Sequence, residues 1–432
     1  MEDVVEKIAM AQYPVYKETG IKYLGVIPEN WSLKKGKWLF AKQERLIKDE
    51  DEIVTCFRDG TVTLRSNRKI DGFTIALKEH GYQGIRKGDL VIHNMDAFAG
   101  AIGVSDSDGK STPVYSACIA RVEKEAYPPF YAYFLRNLAK GGFIESLAKG
   151  IRERSTDFRF DDFGKLLLPV PEYPEQTAIA NFLDSKIALI DQAIIIKERQ
   201  IELLKERKQI LIHKAVTRGL NPKVKLKDSG MEWIGMVPEH WGEKRLKYIL
   251  EEINERSKTG NEELLSLSKY KGVVPKSSLE ERAGAANSLI GYKIVYPNSL
   301  VINKMQAVNG LIAVSKISGI TSPDYSVYKV KDASLNIDYY GCLLSQQEYL
   351  DLFKKVVTGV MEGFIRLYTD DLFRIAALVP PIEEQEMIIA FIDSISQKIS
   401  TAIGFKEKEI EKLKEYKACL INSAVTGKIK VS

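Results

Sequence analysis

Cysteine and uninterrupted apolar sequence are scarce in this chain. The four cysteines, Cys56, Cys118, Cys342 and Cys419, are far apart and form no CxxC pair, which argues against a zinc ribbon and is typical of a reducing compartment. No stretch approaches the ~18 consecutive apolar residues that a membrane span requires. The N-terminus is acidic and lacks the apolar run of a signal peptide. We therefore expect a cytoplasmic protein with no membrane association.

Motifs of reactive chemistry are also missing. Gly109-Lys110-Ser111 resembles the end of a P-loop, but Val104 stands where the first glycine is required and Pro113 prevents the helix that should follow. We find no Rossmann glycine motif, no nucleophile elbow, no HExxH motif and no NPPY-type motif of amino-methyltransferases. Histidine is limited to four residues, and none has a metal-ligand neighbour at helical spacing. We expect no catalytic residue, no metal and no cofactor.

The overall composition is that of an ordinary globular protein. With 45% hydrophobic residues, the 432-residue chain can fill about two or three domain cores. The 63 Lys+Arg and 58 Asp+Glu give a formal charge of +5, which permits nucleic-acid binding without requiring it.

The chain contains its own sequence twice. KETGIKYLGVIPENW at residues 17–31 recurs as KDSGMEWIGMVPEHW at residues 227–241, and LVIHNMDAFAGAIGVS at residues 90–105 recurs as LVINKMQAVNGLIAVS at residues 300–315. The offset of 210 residues becomes 209 near the end, where Ala215-Val216-Thr217 recurs as Ala424-Val425-Thr426. This near-constant offset indicates a tandem duplication.

Each copy divides into a globular part and a helical part. The globular part mixes short β-branched runs with turn signals, so we predict an α/β domain of mixed α+β content. The helical part follows a proline-rich segment and carries apolar residues at alternating steps of four and three, a heptad pattern interrupted by lysines. In the first copy this seam is Leu183, Ile187, Ile190, Ile194, Lys197, Ile201, Leu204, Lys208, Leu211 and Ala215; in the second it is Ile392, Ser396, Ile399, Ile403, Lys406, Ile410, Leu413, Lys417, Leu420 and Ala424.

The repeated helices predict two long antiparallel coiled-coil helices in a pseudo-twofold molecule, because duplicated units usually reuse symmetric interfaces. An amphipathic helix on each domain's own core is the alternative. The seam would span about 50 Å, or roughly 14 base pairs of DNA as an upper bound. We expect central Lys197 and Lys406 to approach each other and to be compensated by Glu198, Glu202, Glu407 or Glu411.

Polar side chains that suit base edges and phosphates cluster in both copies. The candidates in the first copy are Arg65, Asn67, Arg68, Lys69, Arg152 and Arg154. Those in the second copy are Lys269, Tyr270 and Lys271, at the approximately matching place, and Arg366. A solvated surface is the alternative explanation for any one cluster.

The differences between the copies add further candidates. Within the repeated segment the apolar residues are kept, whereas His93, Asn94 and Asp96 are replaced by Asn303, Lys304 and Gln306, as the final list of candidates. Two domains that read different base sequences would differ in this way. Neutral drift at exposed positions is the alternative.

Taken together, these motifs resemble the specificity subunit of a type I restriction-modification system. The resemblance rests on the tandem VIPENW and MVPEHW segments, on PVPEYPEQTAIANFLD (residues 169–184) and VPPIEEQEMIIAFID (residues 379–393), and on helices that end in AVTRG or AVTGK. It covers nearly the whole chain. By this resemblance, residues 1–172 and 219–381 are target-recognition domains, and residues 173–218 and 382–432 are helical spacers.

The resemblance also implies a function. Each globular domain would read one half of a bipartite, asymmetric duplex DNA target, and the helices would fix the spacing and dock the modification subunits, two of them by symmetry. The chain itself would be non-catalytic, because partner subunits supply adenine methylation and ATP-dependent translocation with cleavage. The alternatives are a coiled-coil interaction protein, such as a decoy assembly subunit with no DNA-directed role, and, more distantly, a stand-alone methyltransferase.

Overall fold

A computed structural model describes residues 11–68, 81–147, 157–269, 271–279, 288–357 and 365–431. The predicted DNA-contacting residues Lys69, Arg152, Arg154 and Tyr270 lie outside these ranges. Two compact units divide the chain: unit 1 comprises Met1–Lys197 and Glu407–Ser432, and unit 2 comprises Glu198–Lys406. The division falls within the two long helices.

Unit 1 is built around an antiparallel four-stranded sheet in the order β4-β11-β8-β9, with four two-stranded pairs, β1-β2, β3-β12, β5-β6 and β7-β10. The strands are β1 Tyr16–Glu18, β2 Val26–Pro28, β3 Ser32–Lys35, β4 Phe40–Gln43, β5 Val54–Cys56, β6 Val62–Leu64, β7 Gln83–Ile85, β8 Leu90–His93, β9 Ile102–Val104, β10 Gly109–Ser111, β11 Tyr115–Ala120 and β12 Leu167–Val170. The helices are α1 Gly36–Leu39, α2 Pro128–Lys140, α3 Phe143–Ser146, α4 Phe160–Lys165 and the long α5 Tyr173–Arg218.

Unit 2 repeats this order, with the four-stranded sheet β16-β23-β20-β21 and the pairs β13-β14, β15-β24, β17-β18 and β19-β22. The strands are β13 Leu226–Asp228, β14 Met236–Pro238, β15 Gly242–Arg245, β16 Leu250–Glu252, β17 Leu265–Ser268, β18 Gly272–Pro275, β19 Lys293–Val295, β20 Ser299–Asn303, β21 Ile312–Ser315, β22 Gly319–Thr321, β23 Tyr325–Val330 and β24 Ala376–Val379. The helices are α6 Ile337–Leu344, α7 Gln347–Val356, α8 Thr369–Arg374 and the long α9 Ile382–Val425. The predicted mixed α+β content of both copies is confirmed.

Repeated large side chains fill equivalent places in the two cores. Trp31 and Trp241 are almost fully buried. The rings of Phe130 and Tyr131 meet edge to face at 5.1 Å, and those of Tyr339 and Tyr340 do so at 5.2 Å. Such pairs add packing energy beyond the area that they bury, so the duplicated sequence reproduces one core design.

The glutamine of the repeated Glu-Gln motif ties each long helix to its globular domain. Gln176 accepts a hydrogen bond from the Tyr127 backbone N–H (2.7 Å) and donates to the Pro171 carbonyl (2.9 Å). Gln385 has an equivalent pair of bonds, which involve the Asn336 N–H (2.8 Å) and the Pro380 carbonyl (2.8 Å). Both side chains are fully buried, where polar atoms require partners. The motif therefore fixes the start of each helix.

The predicted heptad seam is confirmed by burial. None of its positions on α5 or α9 is exposed, whereas most of the positions between them are. Within unit 1, Lys417 pairs with Asp191 at 2.6 Å and Lys197 pairs with Glu409 at 2.7 Å. As numbers rise along α5 they fall along α9, so the two helices are antiparallel. The partner of Lys197 is thus Glu409 and not one of the four predicted glutamates, because the crossing register is set by tertiary packing.

By length and composition alone, α9 is apolar enough to cross a membrane, and it is the one helix among the described residues that meets this criterion. The sequence expectation considered uninterrupted apolar runs, and Asp393 and Lys398 interrupt this one. The criterion is weak evidence, because seam residues such as Ile392 and Ile399 supply apolar content and are buried by packing.

Candidate nucleic-acid interface

A hairpin and a 3₁₀ turn present the first cluster of predicted DNA-contacting side chains in unit 1. Strands β5 and β6 pair from Val54 to Leu64 and are joined by a turn in which Gly60 has a φ of +89°, a conformation that favours glycine. The 3₁₀ turn Arg65–Asn67 follows directly. The polar run that the sequence singled out therefore lies at the end of a hairpin.

Arg68 is held over the hairpin by one carboxylate and one ring. Its guanidinium makes two bonds to Asp59, one of them at 3.0 Å, and lies 4.5 Å from the centre of the Phe57 ring. The hydrogen bond from Arg68 holds the pKa of the Asp59 carboxyl well below its usual range. Asn67 is exposed and donates to the Thr63 hydroxyl at 2.9 Å. The guanidinium is thus preoriented at the surface.

Arg65 is directed toward the hairpin and is half-buried. Its Nε donates to the Thr55 hydroxyl at 3.2 Å, and its backbone N–H donates to the Ile53 carbonyl at 2.8 Å. The side chain therefore supports the hairpin as well as facing its surface.

The turn after β8 brings the next candidates to the same region. His93 Nδ1 accepts a hydrogen bond from the Asp96 backbone N–H at 3.0 Å, and its ring meets Tyr115 edge to face at 4.5 Å. Burial lowers the pKa of His93. Asp96 is paired with Arg58 of the hairpin turn at 2.9 Å. Sequence reasoning missed Arg58, whose side chain is 68% exposed; its place beside Asp59-Gly60, a turn signal, was the available clue.

Asn94 differs from its neighbours because it is buried, with 9% of its surface exposed. Its side-chain oxygen accepts a hydrogen bond from the Ser116 hydroxyl at 3.0 Å. Its backbone N–H donates to Val114, and its carbonyl accepts from Phe158. These contacts connect three segments, so Asn94 has a role within the fold.

The equivalent turn of unit 2 uses different side chains. Asn303 Oδ1 accepts from the Gln306 N–H at 3.2 Å, and Gln306 accepts from the Asn309 amide at 2.7 Å. Lys304 Nζ donates to the Pro323 carbonyl at 3.1 Å, and burial lowers the pKa of this lysine.

Arg366 lies in the same part of unit 2. It pairs with Asp324 at 3.2 Å, and its charge is close enough to Lys304 to lower the pKa of that lysine further. The structure therefore groups Lys304 with Arg366, which the sequence did not connect.

Lys269 and Lys271 are not the counterparts of the Arg65 to Arg68 run, as the sequence comparison suggested. Leu265 pairs with Pro275 as Val54 pairs with Leu64, an offset of 211 residues. Both lysines therefore lie in the hairpin turn, at the level of Arg58 and Gly60. The counterpart of the first 3₁₀ turn is Lys276–Ser278. The correction arises because strand pairing, and not similarity of letters, defines the register here.

The interface in unit 1 is thus a set of exposed cations held by carboxylates. Arg58 and Arg68 each pair with an aspartate, Asp96 and Asp59 respectively. Arginine forks that are oriented in this way suit phosphates and the acceptor edge of guanine. Across the described ranges, no three His, Cys, Asp or Glu side chains are placed to hold a metal ion together.

Two copies of one α+β domain, each joined to a long helix of an antiparallel pair, define a duplicated scaffold with one polar surface in each copy. No family model matches the chain. A putative type I restriction enzyme MjaX specificity subunit from Methanocaldococcus jannaschii is 24% identical over 447 residues, which cover 96% of this chain and 98% of that protein. The MjaVIII specificity subunit from the same organism is 25% identical over 324 residues, or 68% of each chain.

Solved structures give the same result for the fold. The HsdS subunit from Thermoanaerobacter tengcongensis superimposes with a TM-score of 0.55 at 17% identity, over 95% of this chain and 100% of that chain. A chain from a structural study of the assembly and conformational transition of the type I R-M system gives a TM-score of 0.62 at 16% identity, over 92% and 98%. These matches confirm the resemblance to type I specificity subunits that the sequence motifs indicated.

Proposed function

We propose that this chain is the DNA target-recognition subunit of a type I restriction-modification system. The observation that carries the proposal is the similarity to named specificity subunits over nearly the full length of the chain, together with the duplicated fold. The role is non-catalytic: the chain selects the DNA, and partner subunits methylate adenine and carry out ATP-dependent cleavage. It acts in the cytoplasm, where bacterial and archaeal DNA lies.

In this proposal, residues 1–172 and 219–381 are target-recognition domains, and residues 173–218 and 382–432 are spacers. Each domain reads one half of an asymmetric, bipartite target. The first domain uses the exposed arginines of the β5–β6 hairpin and the turn after β8, with Lys69, Arg152 and Arg154. The second uses Lys304, Arg366 and the β17–β18 hairpin with Lys269, Tyr270 and Lys271.

The long helices provide the docking surface for modification subunits, one for each copy. Helix α5 carries a second apolar stripe outside the seam, because Leu189, Ile196, Leu203 and Ile210 recur every seven residues and all four are exposed. An exposed apolar stripe with heptad spacing is typical of a helix that packs against a further helix. This stripe supports helical docking of the modification subunit, to which the restriction subunits add.

The proposal is tested by selecting duplexes from a randomised DNA library with the full chain, purified together with its modification subunits. We expect enrichment of two short motifs separated by a fixed number of unspecified base pairs. The matched variants are Arg58→Ala in the first domain and Lys304→Ala in the second, and each should relax one motif only, by ~1–3 kcal/mol for a base contact.

A single contiguous motif, or enrichment without sequence preference, contradicts the proposal. If the chain bound its partner subunits but no DNA, the alternative of a coiled-coil interaction protein or decoy subunit would be favoured. Selective retention of S-adenosylmethionine by the isolated chain would instead indicate a stand-alone methyltransferase.

A further inference from the structure

Unit 1 contains a cavity of about 800 Å³ beside the last turn of α2. Its walls come from the end of α2, from the part of α5 near Asp191, and from the C-terminal part of α9. The side chains that matter for its chemistry are Tyr133, Arg136, Lys140, Asp191, Lys417 and Cys419. None of them belongs to the hairpin surface described above.

The cavity carries an excess of positive charge. Lys417 is paired with Asp191 through both carboxylate oxygens, at 2.6 and 2.7 Å. Arg136 and Lys140 have no carboxylate partner among the described residues. Burial, followed by the nearby charges of Arg136 and Lys417, lowers the pKa of Lys140. Two cations one helical turn apart thus face the cavity with their charge uncompensated.

Arg136 is fixed in this position despite the lack of an anion. Its guanidinium lies against the backbone of Gly60, at the tip of the β5–β6 hairpin, where any side chain would collide with it. It also lies 5.9 Å from the centre of the Tyr133 ring. Its Nε is buried without a hydrogen-bond partner in the described part of the chain. A buried donor without a partner costs about 1–3 kcal/mol, so a bound acceptor would stabilise this arrangement.

Unit 2 lacks these cations at the equivalent place. The ring pairs Phe130–Tyr131 and Tyr339–Tyr340 align α2 with α6 at an offset of 209 residues. Ser345 therefore stands where unit 1 has Arg136, just after the end of α6. The nearby cavity of unit 2 contains Glu348, which lies 3.4 Å from His213. The excess of positive charge is a property of the first copy.

We propose that the cavity of unit 1 binds a phosphate group. Two uncompensated cations match a phosphate charge of about −1.5 to −2 near neutral pH, and the guanidinium fork of Arg136 suits its oxygens. The group comes either from free phosphate, including that of a nucleotide, or from the DNA backbone, and the second source rests on the proposed function. Because Arg136 touches Gly60, phosphate binding also supports the hairpin that carries Arg58 and Arg68.

The test uses the full chain and inorganic phosphate, titrated against chloride at equal ionic strength. The two readouts are Tm and the alkylation rate of Cys419, resolved by mass spectrometry, because Cys419 is exposed and lines the cavity. We expect a saturable rise in Tm and saturable protection of Cys419. Arg136→Gln and Lys140→Gln should weaken the apparent affinity about tenfold or more, as for a charge-assisted hydrogen bond.

Lys354→Gln is the matched control, because Lys354 ends helix α7, is exposed and pairs only with Asp351 on its own helix. It should keep the full response. A Tm rise that does not saturate and is equal in all variants is the general salting effect of phosphate and overturns binding of free phosphate. Lys140→Gln keeps the test valid if Arg136→Gln does not fold, since Lys140 is only half-buried.

A second arm separates the two sources. If a DNA phosphate occupies the cavity, Lys140→Gln should lower the salt dependence of duplex binding by about one unit of slope, and inorganic phosphate alone should not protect Cys419. If free phosphate is the ligand, protection occurs and the slope is unchanged. Absence of both effects overturns the proposal. Because the phosphate arm needs no DNA, it stays decisive even if the proposed DNA recognition fails.

Discussion

The turns after β8 and β20 are held by chemically different side chains that make the same bond. The imidazole of His93 and the carboxamide of Asn303 each accept the backbone N–H three residues further along. The exchange that the sequence comparison read as two different base readers therefore preserves an acceptor. Contact with DNA is left to the exposed side chains around it, such as Arg58 and Gln306.

A pH dependence follows from the burial of His93, which lowers its pKa from the usual 6.5. Below about pH 6.5 the unfolded chain takes up this proton more readily than the folded chain, so acidification reduces the free energy of unfolding. Asp96 opposes the shift, and Arg58 and burial beside Tyr115 favour it. His93→Asn keeps the acceptor, as Asn303 does in unit 2, and should show a smaller loss of stability between pH 7.5 and 5.5 in urea titrations. Equal losses in both proteins would contradict this role of His93.

Asn94 provides a second test at this scale. Asn94→Ala leaves the buried Ser116 hydroxyl without its acceptor, which should cost about 1–3 kcal/mol in the free energy of unfolding. The double variant Asn94→Ala, Ser116→Ala should recover most of that loss, because no polar atom is then left unpaired. DNA preference should be unaltered. Changed base preference at full stability would instead support the base-reading role predicted from the sequence.

Among the elements, the long helices were the most predictable. Their seam could be read directly because an apolar period of 3.5 residues is a local property of the sequence, and Leu183, Ile201 and Ile410 are buried as predicted. The partner of Lys197 could not be read in this way. Which glutamate faces it depends on how far one helix is shifted along the other, and that shift is decided by packing on the globular domains.

The same limit applies to the motifs that start the helices. The repeated Glu-Gln pair was recognisable as a motif, but its physical role was not. Gln176 and Gln385 bind backbone groups of loops about 50 residues earlier in the chain. Such long-range bonds carry no local pattern, so the structure was needed to explain why glutamine stands there.

The seam lysines predict a stability change. In unit 1, Lys197 and Lys417 pair with Glu409 and Asp191, carboxylates whose side chains are each 46% exposed. Pairs of this exposure contribute only about 0–1 kcal/mol, whereas a buried leucine contributes ~1.5–3 kcal/mol, and the freed carboxylates stay hydrated. Lys197→Leu with Lys417→Leu should therefore raise Tm by a few degrees in calorimetry. Lys412→Leu, at an exposed position of α9, should not, and a lower Tm of the double variant would show that the ion pairs dominate.

For the whole molecule, the duplication was visible in the sequence, but its register was visible only in part. The offset of 210 residues holds from β8 to β20, yet it is 211 between the β5–β6 and β17–β18 hairpins. Those hairpins share their backbone hydrogen bonds and few of their residues. Lys269 was consequently matched with the wrong segment, and Arg58 was overlooked.

The central claim is that the globular domains choose the bases while the paired helices set the distance between the two half-sites. Removing one heptad from each helix, residues 196–202 with the equivalent residues 405–411, separates these roles. Each deletion shortens its helix by about 10 Å, or roughly three base pairs, and keeps the seam in phase.

The measurement is a genome-wide map of adenine methylation in cells that express the chain with its modification subunits, with and without the double deletion. We predict the same two half-sites in both maps, with an unspecified gap that is shorter by about three base pairs in the deletion variant. Altered half-sites with an unchanged gap would contradict the account.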